Sequence, residues 1–90
     1  MSAHDISMQV IIDGESPAGV FRRCLLADPS LSNADLSALF MDQFDLVSTE
    51  ALHVIWNWQR PGSDRGLEDR RIDELLFHYL VEAGYQVRHP

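Results

Sequence analysis

The chain has 90 residues, and 14 acidic against 7 basic side chains give it a formal net charge of -7 at pH 7. Its hydrophobic content of 46% is enough for one core, while the length leaves too few residues for two domains. These proportions exclude a chain that is disordered throughout. We therefore expect a single small globular domain over residues 1–90.

Several classes of protein are excluded by what the sequence lacks. No apolar run approaches the roughly 20 residues that a membrane span needs. A single cysteine, Cys24, excludes an internal disulfide. All basic residues are arginine, a bias that favours a bacterial or phage source. Residues 1–10 lack the basic start and continuous apolar stretch of a secretory signal, so we expect a cytoplasmic protein.

The first predicted element is a strand over residues 6–12, where apolar residues alternate with Ser7 and Gln9. A lone strand leaves unpaired backbone groups along both edges, so it needs a partner. Residues 85–88 are the candidate partner strand within the chain. Their pairing with residues 6–12 would join the two termini in a short ribbon. The alternative is pairing with the same strand of a second molecule, which would make a homodimer.

Two capped helices follow. Helix one is predicted over residues 17–27, because Ser16 is a good N-cap and Pro17 suits the first helical position. Helix two begins after Ser32, where Asp35 completes a capping box, and runs to about residue 45. The apolar residues expected to face the core are Ala18, Phe21, Cys24 and Leu25 in helix one and Leu36, Leu39, Phe40 and Phe44 in helix two.

Helix three is predicted over residues 48–60, from a cap at Ser48 to a stop at Pro61. It is apolar on most sides, which indicates a central position in the core. After a polar loop at 61–66, helix four has the most regular amphipathic pattern in the chain and ends at Gly84. The expected fold is therefore mainly α, with four helices, and α+β at most if the terminal strands pair.

A polar stripe on helix three is the first candidate site. It consists of residues at offsets of three, four and three, which share one helix face: Glu50, His53, Asn57 and Arg60. A histidine beside a carboxylate, an amide and a guanidinium could form a polar recognition surface. The simpler interpretation is a solvated stripe with one contact between the carboxylate and the imidazole.

The end of helix three is the second candidate, because Trp56 and Trp58 precede Arg60 and Arg65 there. Tryptophan and arginine are the residues that most often anchor protein interfaces. An indole exposed beside Arg60 would make this corner a contact patch. Burial of both tryptophans, with Arg60 over one indole face, is the alternative.

Nothing in the sequence predicts catalysis, a metal or a cofactor. The four histidines His4, His53, His78 and His89 include no pair spaced to place two metal ligands on one helix face. Glu74 and His78 have that spacing but would need a further ligand. Cys24 is expected to be inert in the core, and no glycine-rich phosphate loop is present.

Helices two and three are also spaced like a helix-turn-helix, in which helix 48–60 would read DNA. The charged residues between Asn33 and Trp58 are all acidic, however, and such a surface repels phosphates. The favoured interpretation is a small acidic, non-enzymatic module that binds or regulates another protein. In an extreme form of this interpretation, the acidic surface would mimic nucleic acid. The alternative is a helix-turn-helix-like nucleic-acid-binding domain.

Overall fold

Four α-helices make up most of the chain that the computed structural model describes, residues 6–88. A 3₁₀ helix over Met8–Ile11 precedes them. The α-helices are α1 (Pro17–Ala27), α2 (Asn33–Gln43), α3 (Glu50–Trp56) and α4 (Asp69–Glu82). The predicted mainly helical fold with four helices is confirmed.

The local signals at the starts of α1 and α2 act as predicted. The Ser16 hydroxyl accepts a hydrogen bond from the backbone N–H of Gly19 at 3.0 Å, and Pro17 opens α1. Ser32 Oγ accepts from Asp35 N at 3.0 Å, and Ser32 N donates to Asp35 Oδ2 at 2.8 Å. This reciprocal capping box also holds the pKa of Asp35 below its usual range, because the bonds stabilise the carboxylate.

A glycine-based cap ends α4 as expected. Gly84 has a φ of 98°, the left-handed region that favours glycine. Its N–H donates to Val81 O, and the N–H of Tyr85 donates to Leu80 O, which is the Schellman arrangement. The Tyr85 ring then packs edge-on against Phe44 at a centroid distance of 5.3 Å. The segment after α4 is thereby tied to the end of α2.

The expected N-terminal strand is wrong, because Met8–Ile11 form a 3₁₀ helix. Ser7 Oγ accepts from Gln9 N at 3.1 Å, and local backbone bonds satisfy groups that a strand would leave for a partner. Arg88 N donates to Ile12 O at 2.8 Å, so the terminal segments meet without a ribbon between residues described here. The strand edge on which the alternative of a homodimer depended is therefore missing from residues 6–12.

The core is built around a connected set of aromatic rings. Phe21 lies 6.4 Å from Phe40 and 5.6 Å from Trp58, and Phe40 lies 5.0 Å from Phe44, as centroid distances. Cys24 is fully buried beside them, and its burial raises the pKa of the thiol. Among residues 6–88, no helix is long and apolar enough to cross a membrane.

Candidate partner-binding surface

The early end of α3 decides which predicted site residues come together. The helix stops at Trp56, although residues 48–60 were expected. Beyond it, Leu67 N donates to Asn57 O at 2.6 Å and Gln59 N donates to Leu67 O at 2.8 Å. These bonds pair Trp58 with Leu67 in an isolated bridge. The chain after Asn57 therefore leaves the helical path, and the predicted stripe is divided.

Three of the four predicted stripe residues line one groove between α3 and α4, and the fourth, Arg60, does not. The α3–α4 groove has a volume of about 570 Å³. Its lining residues are Glu50, His53, Val54, Asn57, Gly66, Leu67 and Tyr79. Neither lysine nor arginine is among them.

Hydrogen bonds orient the polar side chains of the α3–α4 groove. Tyr79 Oη donates to Glu50 Oε2 at 3.2 Å, which fixes the carboxylate from the opposite helix. Asn57 Nδ2 donates to the backbone oxygen of His53 at 2.7 Å. Desolvation raises the pKa of Tyr79, as do its bond to Glu50 and the charges of Glu50 and Glu82. The groove is therefore an acidic site with a fixed carboxylate.

Trp56 lies on the same helix as the groove residues and is 46% exposed. Its indole Nε1 donates to Ser37 Oγ at 2.9 Å, and that buried hydroxyl donates to Ala34 O at 2.7 Å. The ring also meets the His53 imidazole edge-on at a centroid distance of 4.8 Å. The indole is thus held in one orientation while nearly half of the residue stays open to solvent.

Trp58, in contrast, is a core residue with an exposure of 2%. Its Nε1 donates to Asp69 Oδ1 at 2.9 Å, and Arg22 Nε donates to Asp69 Oδ2 at 2.8 Å. The Arg22 guanidinium lies 5.9 Å from the centre of the indole. The arginine over a tryptophan is therefore Arg22 and not the Arg60 suggested by the sequence.

Arg60 belongs to a different cluster. Its Nη1 donates to Asn33 Oδ1 at 3.2 Å, while Asn33 Nδ2 donates to the backbone oxygens of Trp56 and Trp58. Arg60 and Arg22 line a second groove of about 320 Å³ beside the 61–63 turn. Arg65 is exposed in the same loop. Neither Arg60 nor Arg65 is among the residues that line the α3–α4 groove.

Two residues that sequence reasoning did not assign to a site take part in this surface. They are Tyr79 on α4 and Ser37 on α2. Both are hydroxyl-bearing residues at positions that face neighbouring helices, where a hydroxyl needs a polar partner. The need of a hydroxyl for a polar partner could have marked both residues in the sequence. Only the packing of α3 against α2 and α4 shows that these partners are Trp56 and Glu50.

Comparisons with known protein families, with curated proteins and with solved structures give no significant match. In the described part of the chain, no three histidine, cysteine or acidic side chains come together as a metal-binding group. His4 and His89, considered above as metal ligands, lie outside the described residues.

Proposed function

We propose that this chain is a non-enzymatic module that binds another protein through the Trp56 surface, formed by Trp56 and His53. The observation that carries the proposal is an exposed indole whose N–H is already bonded to Ser37. Binding to a side chain that is already oriented loses little conformational entropy. Tryptophan is also among the residues that most often dominate interface energies.

The charge around this surface indicates a basic partner. Residues 33–59 contain acidic residues and no lysine or arginine: Asp35, Asp42, Asp45 and Glu50. Elsewhere, four arginines are paired with carboxylates: Arg22 with Asp69, Arg23 with Glu15, and Arg70 and Arg71 with Glu74. Complementary charge would steer a basic partner towards α2 and α3, at a rate that falls as salt rises.

The helix-turn-helix alternative has less support. The connection between α2 and α3, residues 44–49, is longer than the typical turn of about three or four residues. α3 has only seven residues and begins at Glu50, where a recognition helix would approach DNA. A carboxylate at that end opposes contact with phosphate and does not help it.

Affinity capture from the source cell, with matched variants as bait, tests the proposal. Trp56→Ala removes the exposed indole, and Leu26→Ala removes an equally apolar side chain that is 84% exposed on α1. We expect a partner retained by wild type and by Leu26→Ala and weakened at least about tenfold by Trp56→Ala, the loss typical of a dominant interface residue. Circular dichroism establishes that each variant is folded.

A second variant separates the ring from its hydrogen bond. Trp56→Phe keeps an aromatic face but loses the N–H that bonds to Ser37, so we expect partial binding. A set of captured proteins that is the same for wild type and Trp56→Ala would overturn the proposal. Capture that fails only with Leu26→Ala would place the interface on α1 instead.

A further inference from the structure

We infer that the α3–α4 groove receives an arginine side chain from a basic segment of the bound partner. The inference rests on the proposed function, since His53 belongs to both sites. Its imidazole lines the groove and also contacts the Trp56 ring. A segment that covers Trp56 would therefore pass the mouth of the groove.

The hydrogen-bonding groups of the groove suit a donor-rich cation. Glu50 Oε2 accepts from Tyr79, and Oε1 takes no hydrogen bond from residues 6–88. Asn57 uses its Nδ2 in the bond to His53, which leaves Oδ1 as an acceptor. A carboxylate oxygen and an amide oxygen of the groove lining are thus each open to a donor. A guanidinium carries five N–H donors in a plane and can bond to both.

The rest of the lining suits the remainder of an arginine side chain. Val54 and Leu67 supply apolar walls against which methylene groups can pack while the charged head reaches the carboxylate. The groove lining also includes the Tyr79 ring, an aromatic group of the kind that attracts a guanidinium. The groove volume of about 570 Å³ is large enough for a side chain and part of its backbone.

Electrostatics favours a cation from outside the chain. Tyr79 lies in the field of Glu50 and Glu82, and no arginine of residues 6–88 lines the groove. Arg60, the arginine of the predicted stripe, is bonded to Asn33. A lysine would be a poorer ligand, because its ammonium is a strongly hydrated point charge that matches two separated acceptors less well.

Nuclear magnetic resonance titration with a capped tripeptide, Gly-Arg-Gly, tests the inference on the full chain. We expect amide shifts confined to the residues that line the groove. Glu50→Gln keeps an acceptor for Tyr79 but removes the charge, so affinity should fall at least about fivefold. Asp42→Asn removes one charge from exposed α2 and should change affinity less than about twofold. The citrulline peptide, which is neutral and nearly isosteric, should give no shifts.

Three outcomes would overturn the inference. The first is that the arginine peptide causes no amide shifts. The second is that shifts spread over the acidic surface and that Glu50→Gln and Asp42→Asn lose equal affinity. The third is that Gly-Lys-Gly binds as tightly as Gly-Arg-Gly. Partner capture that still depends on Trp56 would then leave the proposed function standing without an arginine in the groove. Capture that is independent of Trp56, beside confined peptide shifts, would instead remove the proposed function and keep the cation site.

Discussion

Gly66 shows how a single residue can determine the shape of the candidate site. Its φ is 122°, and a Cβ at this position would lie 2.5 Å from Asn57 O and 2.8 Å from Gln59 N. Both atoms belong to the bridge that ends α3. The close backbone approach therefore requires a residue without a side chain.

We expect Gly66→Ala to lower the free energy of unfolding by roughly 3 kcal/mol, because strain and overlap act together. Gly62→Ala is the matched control. Gly62 also has a positive φ, 89°, but a Cβ there would meet no atom within 4 Å. Gly62→Ala should therefore lower the free energy of unfolding only through backbone strain, by about 1 kcal/mol. Urea denaturation measures both, and equal losses would show that the bridge tolerates a side chain.

Asp69 connects a buried tryptophan to a surface arginine. Asp69→Ala would leave the Trp58 N–H without its acceptor in the core, and we expect a loss of about 2 kcal/mol. Asp69→Asn keeps an acceptor and should lose less. Thermal unfolding followed by circular dichroism measures the difference. Identical melting temperatures for wild type and Asp69→Ala would contradict this role.

The same carboxylate predicts a loss of stability in acid. The pKa of Asp69 is lowered by its bonds to Arg22 and Trp58. A pKa lower in the folded than in the unfolded chain gives stability that is fully present above the unfolded value of about 3.9. That stability is lost as pH falls through the folded value. We expect the free energy of unfolding to decline below about pH 4, with a smaller decline for Asp69→Asn. Parallel pH profiles for the two proteins would contradict this assignment.

At the scale of elements, α4 stabilises the start of α1. Asp73 on α4 accepts a hydrogen bond from Ser16 Oγ at 2.6 Å and another from Ala18 N at 3.0 Å. The carboxylate therefore satisfies an N–H of the first turn and lies near the positive end of the helix dipole. One residue thus contributes both to a cap and to the packing of two helices.

Asp73→Ala should therefore destabilise the fold by about 1–2 kcal/mol, the range measured for lost N-caps. Asp42→Ala removes a comparable acidic side chain from exposed α2 and should stay within about 0.5 kcal/mol of wild type. Chemical denaturation of both variants makes the comparison. A loss that is as large for Asp42→Ala would mean that charge, and not the cap, is responsible.

Elements with local signals at their ends could be predicted from the sequence. Ser16 with Pro17, the Ser32 capping box and Gly84 each satisfy backbone groups within a few residues. The end of α3 could not be predicted, because it depends on backbone bonds to Leu67, which lies beyond the following loop. The short N-terminal segment failed for another reason: Ile6, Met8 and Val10 alternate as in a strand, whereas the buried pair Met8 and Ile11 has the spacing of three that suits a 3₁₀ helix.

The candidate site, like the fold, could be predicted only where local helical spacing holds. Glu50, His53 and Asn57 lie within or next to α3, where helical spacing holds, and they share the groove. Arg60 was assigned by extending that spacing past Trp56, which the bridge to Leu67 rules out. The two tryptophans could not be distinguished from sequence, since only the change of direction after Asn57 buries Trp58 and leaves Trp56 exposed.

For the whole molecule, the arrangement of charge predicts a poor ligand for polyanions. The net charge is -7, and residues 33–59 contain four acidic side chains and no lysine or arginine. We expect no retardation of duplex DNA in a gel shift at about 50 mM salt, where non-specific electrostatic binding is strong. A basic protein of similar size is the positive control. Retardation that weakens steeply as salt is added would restore the helix-turn-helix interpretation.

The hydrogen bond between Arg88 N and Ile12 O places the last described residue beside the end of the 3₁₀ helix that begins the fold. A host protein could therefore carry residues 6–88 as an insert within one of its own surface loops, since Arg88 is bonded to a residue only six positions after the first junction. Such a chimera would display the exposed indole on a carrier of choice. The chimera could be immobilised on a sensor through the host protein, so that both ends of the insert stay anchored while ligands are tested.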